Sequence, residues 1–251
     1  MSKNKNIFKK AFAVTFLLAA TLNCNAQFFF RAGYNLALTN PHEINRVIYI
    51  HNQINSTYYA SGNDLNEIKN LGGIHIAMGS EFDKNQGWEM SWSNRHHVSK
   101  SEFQFQGQKV NRYLKVRTNN FSFGFYGGGD DISFGGSLDF GNVKGFYKRT
   151  DDTSKNAKFV SVFQNQLVFG GTSDEEDHNL LRTMQMGFTP FIQLKEGPIG
   201  IRLFYQMQFM NLGIDNLDNK LLGGDIEPDN QLKDRLSNFG LLLYIQLGGY
   251  N

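Results

Sequence analysis

The chain has 251 residues, with 26 glycines and 23 phenylalanines but four prolines and one cysteine, and its formal net charge is +2. This length suits one domain, and a composition rich in glycine and aromatic residues favours bent β-strands over helices. A single cysteine excludes a disulfide within the chain. The small net charge gives no support for nucleic-acid binding, because the basic excess belongs to the first residues of the chain.

The first 26 residues have the pattern of a secretory signal peptide. Four lysines between positions 3 and 10 precede the apolar stretch 11–22, and small residues follow up to Ala26. We therefore predict residues 1–26 as a signal peptide and residues 27–251 as the mature domain. The less favoured alternative is a lipoprotein signal at Cys24, which the preceding residues match poorly. Cleavage after Ala26 would leave a slightly acidic chain without cysteine, and no later segment has the roughly 20 apolar residues of a membrane-spanning helix.

Eight segments then alternate between apolar and polar residues, as strands with two different faces do. They cover residues 28–36, 73–82, 88–95, 111–126, 132–141, 181–194, 201–209 and 238–247. Short turns are predicted at 83–87, 127–131 and 195–198, and four long polar loops separate the remaining strands. This order predicts an all-β fold, an eight-stranded antiparallel up-and-down transmembrane barrel with short periplasmic turns and four long extracellular loops. Both termini would then lie on the periplasmic side of an outer membrane.

Two of the predicted strands contain irregularities. In segment 111–126 the apolar residues change phase, from Leu114 and Val116 to Phe121 and the odd positions that follow. A β-bulge of one residue near position 119 would bring both sets onto the lipid-facing side. In segment 181–194, Pro190 removes a backbone donor, which a strand tolerates at a bulge.

A second set of residues shares the face opposite the apolar one and is rich in charge. A soluble, lipocalin-like barrel is the alternative, but it would place the charges outside and lacks this asymmetry of turns and loops. An eight-stranded barrel is narrow enough to be filled by its own side chains, so we expect a salt-bridged lumen rather than a proton or ion path. The predicted lumenal charges are Arg31, Glu81, Glu89, Arg95, Lys115, Arg117, Asp139 and Arg202.

On these features the chain resembles the small eight-stranded outer-membrane barrels of the OmpA and OmpX type. It is more particularly similar to the uncharacterised outer-membrane barrels of Bacteroidota, whose signals often end in Ala-Gln, as at Ala26-Gln27. The resemblance is architectural and covers residues 28–251. It implies insertion into the outer membrane among lipid and lipopolysaccharide, and it leaves the function open, because such barrels include structural proteins, adhesins and lipid-modifying enzymes.

One short motif suggests an enzyme of this last kind. His97 and Ser99 would lie on one face of a strand, and Glu102 follows closely. The group resembles the site of outer-membrane lipid A deacylases, with His97 as base, Ser99 as nucleophile and Glu102 as the orienting carboxylate. The alternative, which we favour, is a polar barrel rim without catalysis. We expect no enzymatic activity, no metal site and no cofactor, since no phosphate-binding loop or metal-ligand spacing is present.

Two loops contain apolar residues that the barrel does not explain. In the first loop a helix is predicted, with Asn40 as its cap and Ile44, Val47 and Ile48 on one face. That face could pack onto the loop itself or dock a partner. The third loop contains a dense apolar stretch that includes Phe159, Phe163 and Phe169, which indicates either an extra hairpin or a protein contact. We therefore predict an accessory subunit of a larger outer-membrane assembly, with a free-standing adhesin or envelope-stabilising barrel as the alternative.

Overall fold

The computed structural model describes residues 27–58, 64–105, 108–149, 160–161, 164–165, 184–214, 217, 221–222 and 233–249. The predicted signal peptide and most of the third loop, including Phe159, Phe163 and Phe169, lie outside these residues. Eight long strands occur in the described part of the chain. They are β1 (Gln27–Thr39), β2 (Asn70–Asp83), β3 (Gln86–Phe105), β4 (Gln108–Gly128), β5 (Ile132–Arg149), β8 (Met184–Glu196), β9 (Ile199–Gln208) and β12 (Asn238–Gly248).

Shorter elements lie among the long connections. Helix α1 covers His42–Ile54, and the two-residue strands are β6 (Val160–Ser161), β7 (Gln164–Asn165), β10 (Leu212–Gly213) and β11 (Lys233–Asp234). Strand β6 pairs with β5, whereas β10 pairs with both β7 and β11 in a small separate sheet. No helix in the described part of the chain is long and apolar enough to cross a membrane.

The eight long strands close into an antiparallel barrel. Each pairs with its neighbour in chain order, and β1 pairs with β12 over eleven positions to complete the ring. The predicted all-β class, strand number and order are therefore confirmed. Closure gives each of the eight strands a hydrogen-bonded neighbour on both sides over most of the ring, and beyond His96 strand β3 pairs with β4 on one side.

Tight connections lie at one end of the barrel, which we call the turn end; the opposite end is the loop end. Residues 84–85, 129–131 and 197–198 form these connections, within the three predicted turns. Two of them require left-handed backbone, at Asn85 and Gly197, both with φ of 56°. Glycine and asparagine adopt this conformation at the lowest steric cost, so the residue types match the turns.

The predicted bulge in β4 is wrong. Strand β4 keeps one register with β3 and with β5 from Arg112 to Tyr126. Leu114 and Val116 consequently point into the barrel and are fully buried, while Phe121 points out. The apolar residues change face because the environment of the strand changes along its length: toward the loop end, the barrel interior is apolar.

Pro190 is accommodated without a bulge. Strand β8 has the same register with β9 on both sides of it, since Phe188 pairs with Met207 and Phe191 pairs with Phe204. Pairing is interrupted at positions 189 and 190 alone, where the proline has no N–H to donate. On the other side, Pro190 faces Gly136 of β5 within an unbroken register.

Along most of the barrel, apolar side chains face outward and polar ones inward. Phe28, Phe121 and Leu247 are each at least 65% exposed, whereas Arg31 and Glu81 are completely buried. This distribution is the reverse of that in a soluble protein, in which charged side chains are almost never fully buried and large apolar surfaces are covered.

Candidate functional site

The interior near the turn end is built around Glu89 of β3. Its carboxylate accepts a hydrogen bond from Arg31 at 2.6 Å and a two-pronged contact from Arg202, whose Nη2 lies 2.8 Å from Oε2. Gln193 accepts from both guanidinium groups, at 2.7 Å from Arg202 and 3.3 Å from Arg31. All four side chains are buried. The pairing compensates charges that would otherwise be very costly away from water.

A second carboxylate, Glu81 of β2, extends this group toward the turn end. The Lys195 ammonium lies 3.2 Å from both of its oxygens, and the Tyr126 hydroxyl donates to Oε1 at 3.1 Å. Arg31 lies 3.6 Å from the same carboxylate and donates to Tyr126 at 3.1 Å. We call Arg31, Glu81, Glu89, Lys195 and Arg202 the lumenal charge cluster. It contains three cations and two anions.

Aromatic rings line the cluster and hold its arginines. The guanidinium carbon of Arg202 lies 3.9 Å from the ring centre of Phe191, and that of Arg31 lies 4.3 Å from Phe29 and 4.9 Å from Tyr244. Such cation–π contacts stabilise a desolvated guanidinium and fix its plane. These rings are accommodated because inward-facing glycines lie opposite them: a Cβ at Gly200 would overlap the Tyr244 ring.

Farther along the barrel axis lies a second polar group, around Arg95 and Asp139. Gln206 joins them, since its amide oxygen accepts from Arg95 and its amide nitrogen donates to Asp139 at 3.1 Å. Asn238 also accepts from Arg95, at 3.0 Å. A cavity of about 50 Å³ borders this group and is also lined by His75. This volume has room for a few water molecules at most.

The structure places six of the eight predicted lumenal charges inside the barrel, and two outside. Lys115 and Arg117 lie on the outer face, because the bulge that would have turned them inward is absent. One lumenal charge was missed by the sequence reasoning. Lys195 was assigned to a turn, yet it lies two residues after inward-facing Gln193, and the two-residue period of a strand places it inside.

Toward the loop end, the interior changes from polar to apolar. Helix α1 lies across the barrel here, and its buried face consists of Ile44, Asn45, Val47, Ile48 and His51. Buried leucines from the strands and from the long connections surround that face, including Leu71, Leu114 and Leu236. We call α1 together with these surrounding side chains the cap. The prediction that Ile44, Val47 and Ile48 contact a partner is wrong, because all three are at most 1% exposed and belong to the core of the cap.

The cap is fastened at the start of the helix by an acidic residue from another segment. Asn40 was predicted to cap α1, but the helix is preceded by Pro41 and has no capping side chain of its own. Instead, Asp234 of β11 accepts the backbone N–H of Ile44 at 2.9 Å. A carboxylate at this end also interacts favourably with the helix dipole. Burial nevertheless raises the pKa of Asp234.

His51, near the end of α1, connects the cap to the barrel wall. Its Nδ1 lies 2.9 Å from the carbonyl oxygen of Leu221, and its Nε2 lies 3.1 Å from Nη1 of Arg112 on β4. The carbonyl must accept and the guanidinium must donate, so His51 is neutral with its proton on Nδ1. Burial, with a further contribution from Arg112, lowers the pKa of His51 to about 4.

The residues of the suspected deacylase motif are not brought together. His97 and Ser99 face the barrel interior on β3, but neither the His97 Nε2 nor the Ser99 hydroxyl has a hydrogen-bond partner among the described residues. Glu102 is three residues beyond Ser99 and therefore lies on the outer face of the strand, where it pairs with Lys100 at 3.6 Å. A base, nucleophile and orienting carboxylate must contact one another in sequence, and this arrangement separates them.

Comparisons with known proteins identify similar barrels but no family. No family model matches the chain, and no curated protein does. A crystal structure of Ail, the attachment invasion locus protein of Yersinia pestis, in complex with the heparin analogue sucrose octasulfate, is 12% identical with a TM-score of 0.43. A second structure of Ail is 11% identical with a TM-score of 0.40. Both cover 88% of this chain and 99% of their own. At this level of similarity, neither Ail nor its ligand assigns a function to the chain.

The described residues contain no group of three histidine, cysteine or acidic side chains placed to hold a metal ion. The arrangement that they do contain is an interior filled in two tiers, a salt-bridged polar tier toward the turn end and the apolar cap at the loop end. This interior is a packed core, because side chains fill both tiers and the charges of the lumenal charge cluster are paired with one another.

Proposed function

We propose that the protein is a non-enzymatic, integral outer-membrane β-barrel that is closed to passage and acts as a structural protein of the envelope. The observation that carries this proposal is the inverted distribution of side chains. Ion pairs around Glu89 are buried inside, while aromatic and aliphatic side chains cover the outside of the same strands. Lipid is the solvent in which such a surface is stable, and a closed barrel satisfies its backbone groups there.

The supporting argument for closure is that both tiers of the interior are occupied by side chains. The lumenal charge cluster crosses the barrel from β1 and β2 to β8 and β9, and the cap covers the loop end. Eight strands enclose a space that side chains can fill. Purified protein in planar bilayers should therefore show no steady single-channel conductance. Long-lived open channels would contradict the proposal.

Insertion itself is tested separately from closure. The protein should fractionate with outer membranes, resist extraction by carbonate, and migrate faster on SDS gels before boiling than after it. Recovery in a soluble fraction would overturn the membrane assignment.

The absence of catalysis is tested at Ser99. Replacement of Ser99 by alanine should leave the acylation pattern of lipid A unchanged in the mass spectra of overexpressing cells. Loss of an acyl chain that depends on Ser99 would instead support a deacylase.

A second candidate function, as an accessory subunit of a larger outer-membrane assembly, is favoured by two side chains of the cap. Tyr49 and Ile54 lie on the outer face of α1 and are 58% and 60% exposed. A partner that docks on the cap would meet these two side chains, because Ile44, Val47 and Ile48 are buried. A gentle-detergent purification of the wild type should then yield a stoichiometric companion, and a Tyr49→Ser/Ile54→Ser variant should lose it. A monomeric particle without a companion would favour the free-standing barrel, as a structural protein or adhesin.

A further inference from the structure

The outer faces of β3, β4 and β5 carry aligned rows of residues whose chemistry changes along the barrel axis. Beginning near the turn end, three rows are apolar, the fourth consists of asparagines, and each of the next three contains at least one lysine or arginine. The two registers, of β3 with β4 and of β4 with β5, define the last four rows as Asn94–Asn119–Asn142, His96–Arg117–Lys144, Val98–Lys115–Phe146 and Lys100–Tyr113–Lys148. The cations were expected partly in the lumen, and the absence of the bulge turns them outward.

We propose that this basic surface, centred on Lys115, Arg117 and Lys144, binds the phosphate groups of a phosphorylated lipid headgroup in the outer leaflet, that of lipopolysaccharide. The inference rests on the proposed function, since it presupposes a barrel in the outer membrane. It adds the residues that recognise the lipid and the phosphate groups that they contact.

The first argument is the height of the cations above the apolar surface. On β5, the outward apolar residues extend from Ile132 to Phe140, and Lys144 follows four residues later. At about 3.3 Å per residue and a strand tilt of about 40°, Lys144 lies roughly 30 Å above Ile132 along the barrel axis. The apolar band of outer-membrane barrels is about 25 Å tall. Lys144 and its row therefore lie where lipid headgroups begin.

The second argument is that two of these cations, Arg117 and Lys144, lie directly opposite each other, whereas Lys100 in the last row pairs with Glu102. Arg117 is the direct cross-strand partner of Lys144. Like charges in such positions repel, and the arrangement is destabilising unless an anion lies between them. Among the described residues, no carboxylate forms an ion pair with Lys115, Arg117 or Lys144. A phosphate bridging Arg117 and Lys144 would convert the repulsion into charge-assisted hydrogen bonds.

The third argument is that, among the long strands, β3, β4 and β5 carry the outward-facing lysines and arginines, while the exposed cations Lys69 and Arg235 lie in connections. The described outward-facing residues of β1, β2, β8, β9 and β12 include no lysine or arginine. A general attraction to anionic lipid would be served by cations spread around the circumference, whereas a cluster on three adjacent strands suits one headgroup. The adjacent asparagine row positions Arg117. When the amide oxygen of Asn94 faces the guanidinium group, it accepts two N–H hydrogen bonds from Arg117, each at 2.8 Å.

The test measures lipopolysaccharide binding to the refolded barrel in detergent, with lipopolysaccharide from which the phosphates have been removed as the second ligand. Wild-type protein should bind the phosphorylated form at least about tenfold more tightly. The variant Lys115→Gln/Arg117→Gln/Lys144→Gln should lose this preference. The matched control Arg46→Gln/Lys69→Gln/Lys84→Gln removes the same three charges from exposed sites elsewhere and should keep it.

Three results would overturn the inference: equal binding of the two forms, an equal loss in the control variant, or displacement of the lipid by millimolar inorganic phosphate. The last would identify a free-phosphate site instead. Heat-modifiable migration is recorded for every variant. A barrel that inserts but binds both forms of lipopolysaccharide equally contradicts this inference alone, whereas a protein that does not insert contradicts the proposed function.

Discussion

At the scale of single residues, Glu89 is the most consequential side chain of the interior. It neutralises two buried arginines, so its loss leaves two charges that nothing nearby fully compensates. We predict that Glu89→Gln destabilises the folded barrel by about 3–5 kcal/mol. Urea unfolding in lipid vesicles, followed by tryptophan fluorescence, measures this change. The control Glu196→Gln, at an exposed position beside a turn, should change stability by less than about 0.5 kcal/mol.

The inward-facing glycines allow a second prediction about stability at the scale of single residues. A methyl group at Gly240 would overlap the ring of Phe204, which stacks near Arg95. Because the ring is enclosed by the barrel wall, we expect Gly240→Ala to destabilise the fold by about 1–3 kcal/mol in the same unfolding assay. Gly129→Ala, in a turn where a Cβ meets nothing within 4 Å, is the matched control. Equal stability of the two variants would contradict the close packing described here.

At the scale of elements, the docking of α1 should depend on pH through His51. The docked helix keeps this side chain neutral down to about pH 4, whereas an undocked histidine binds a proton below about pH 6.5. Docking is therefore fully stable above pH 6.5 and weakens as the pH falls toward 4, by about 3 kcal/mol in all. Arg112 faces the ring and opposes its protonation, while the raised pKa of Asp234 at the other end of α1 acts in the opposite sense to His51 as the pH falls.

Hydrogen exchange of the α1 backbone amides measures this dependence. Wild-type protein should show faster exchange at pH 4.5 than at pH 7, after correction for the intrinsic effect of pH on exchange. His51→Gln removes the titrating group and should flatten the difference, whereas His42→Gln, at an exposed position at the start of the helix, should leave it in place. Identical pH dependence in the wild type and His51→Gln would assign the effect to other groups.

At the scale of the whole molecule, the orientation of the two tryptophans tests the membrane assignment. Trp88 and Trp92 are the chain's only tryptophans, and both lie on the outer face of β3 within the apolar rows. In vesicles, brominated acyl chains should quench their fluorescence strongly, because the rings contact lipid directly. The water-soluble quencher acrylamide should have little effect. The opposite pattern would indicate a barrel whose apolar face is turned toward another protein.

Sequence alone was sufficient for the strand order and for the outward-facing side of most strands. Alternation along a strand is a local property, so eight alternating runs and three tight turns could be read without any knowledge of contacts. The lumenal positions of Arg31, Glu89 and Arg202 follow from the same rule. Lys195 follows from it as well, once its strand is extended by two residues.

Only the tertiary structure decided what happens at the loop end. Alternation says which residues share a face, but the rule that apolar faces point outward holds only inside the bilayer. Beyond the apolar rows of the outer surface, the cap gives the barrel an apolar interior, so Leu114 points inward and Arg117 outward without any change of register. The helix cap supplied by Asp234 likewise depends on a segment 190 residues away. No local pattern encodes such contacts, because they exist only once the distant segments have packed together.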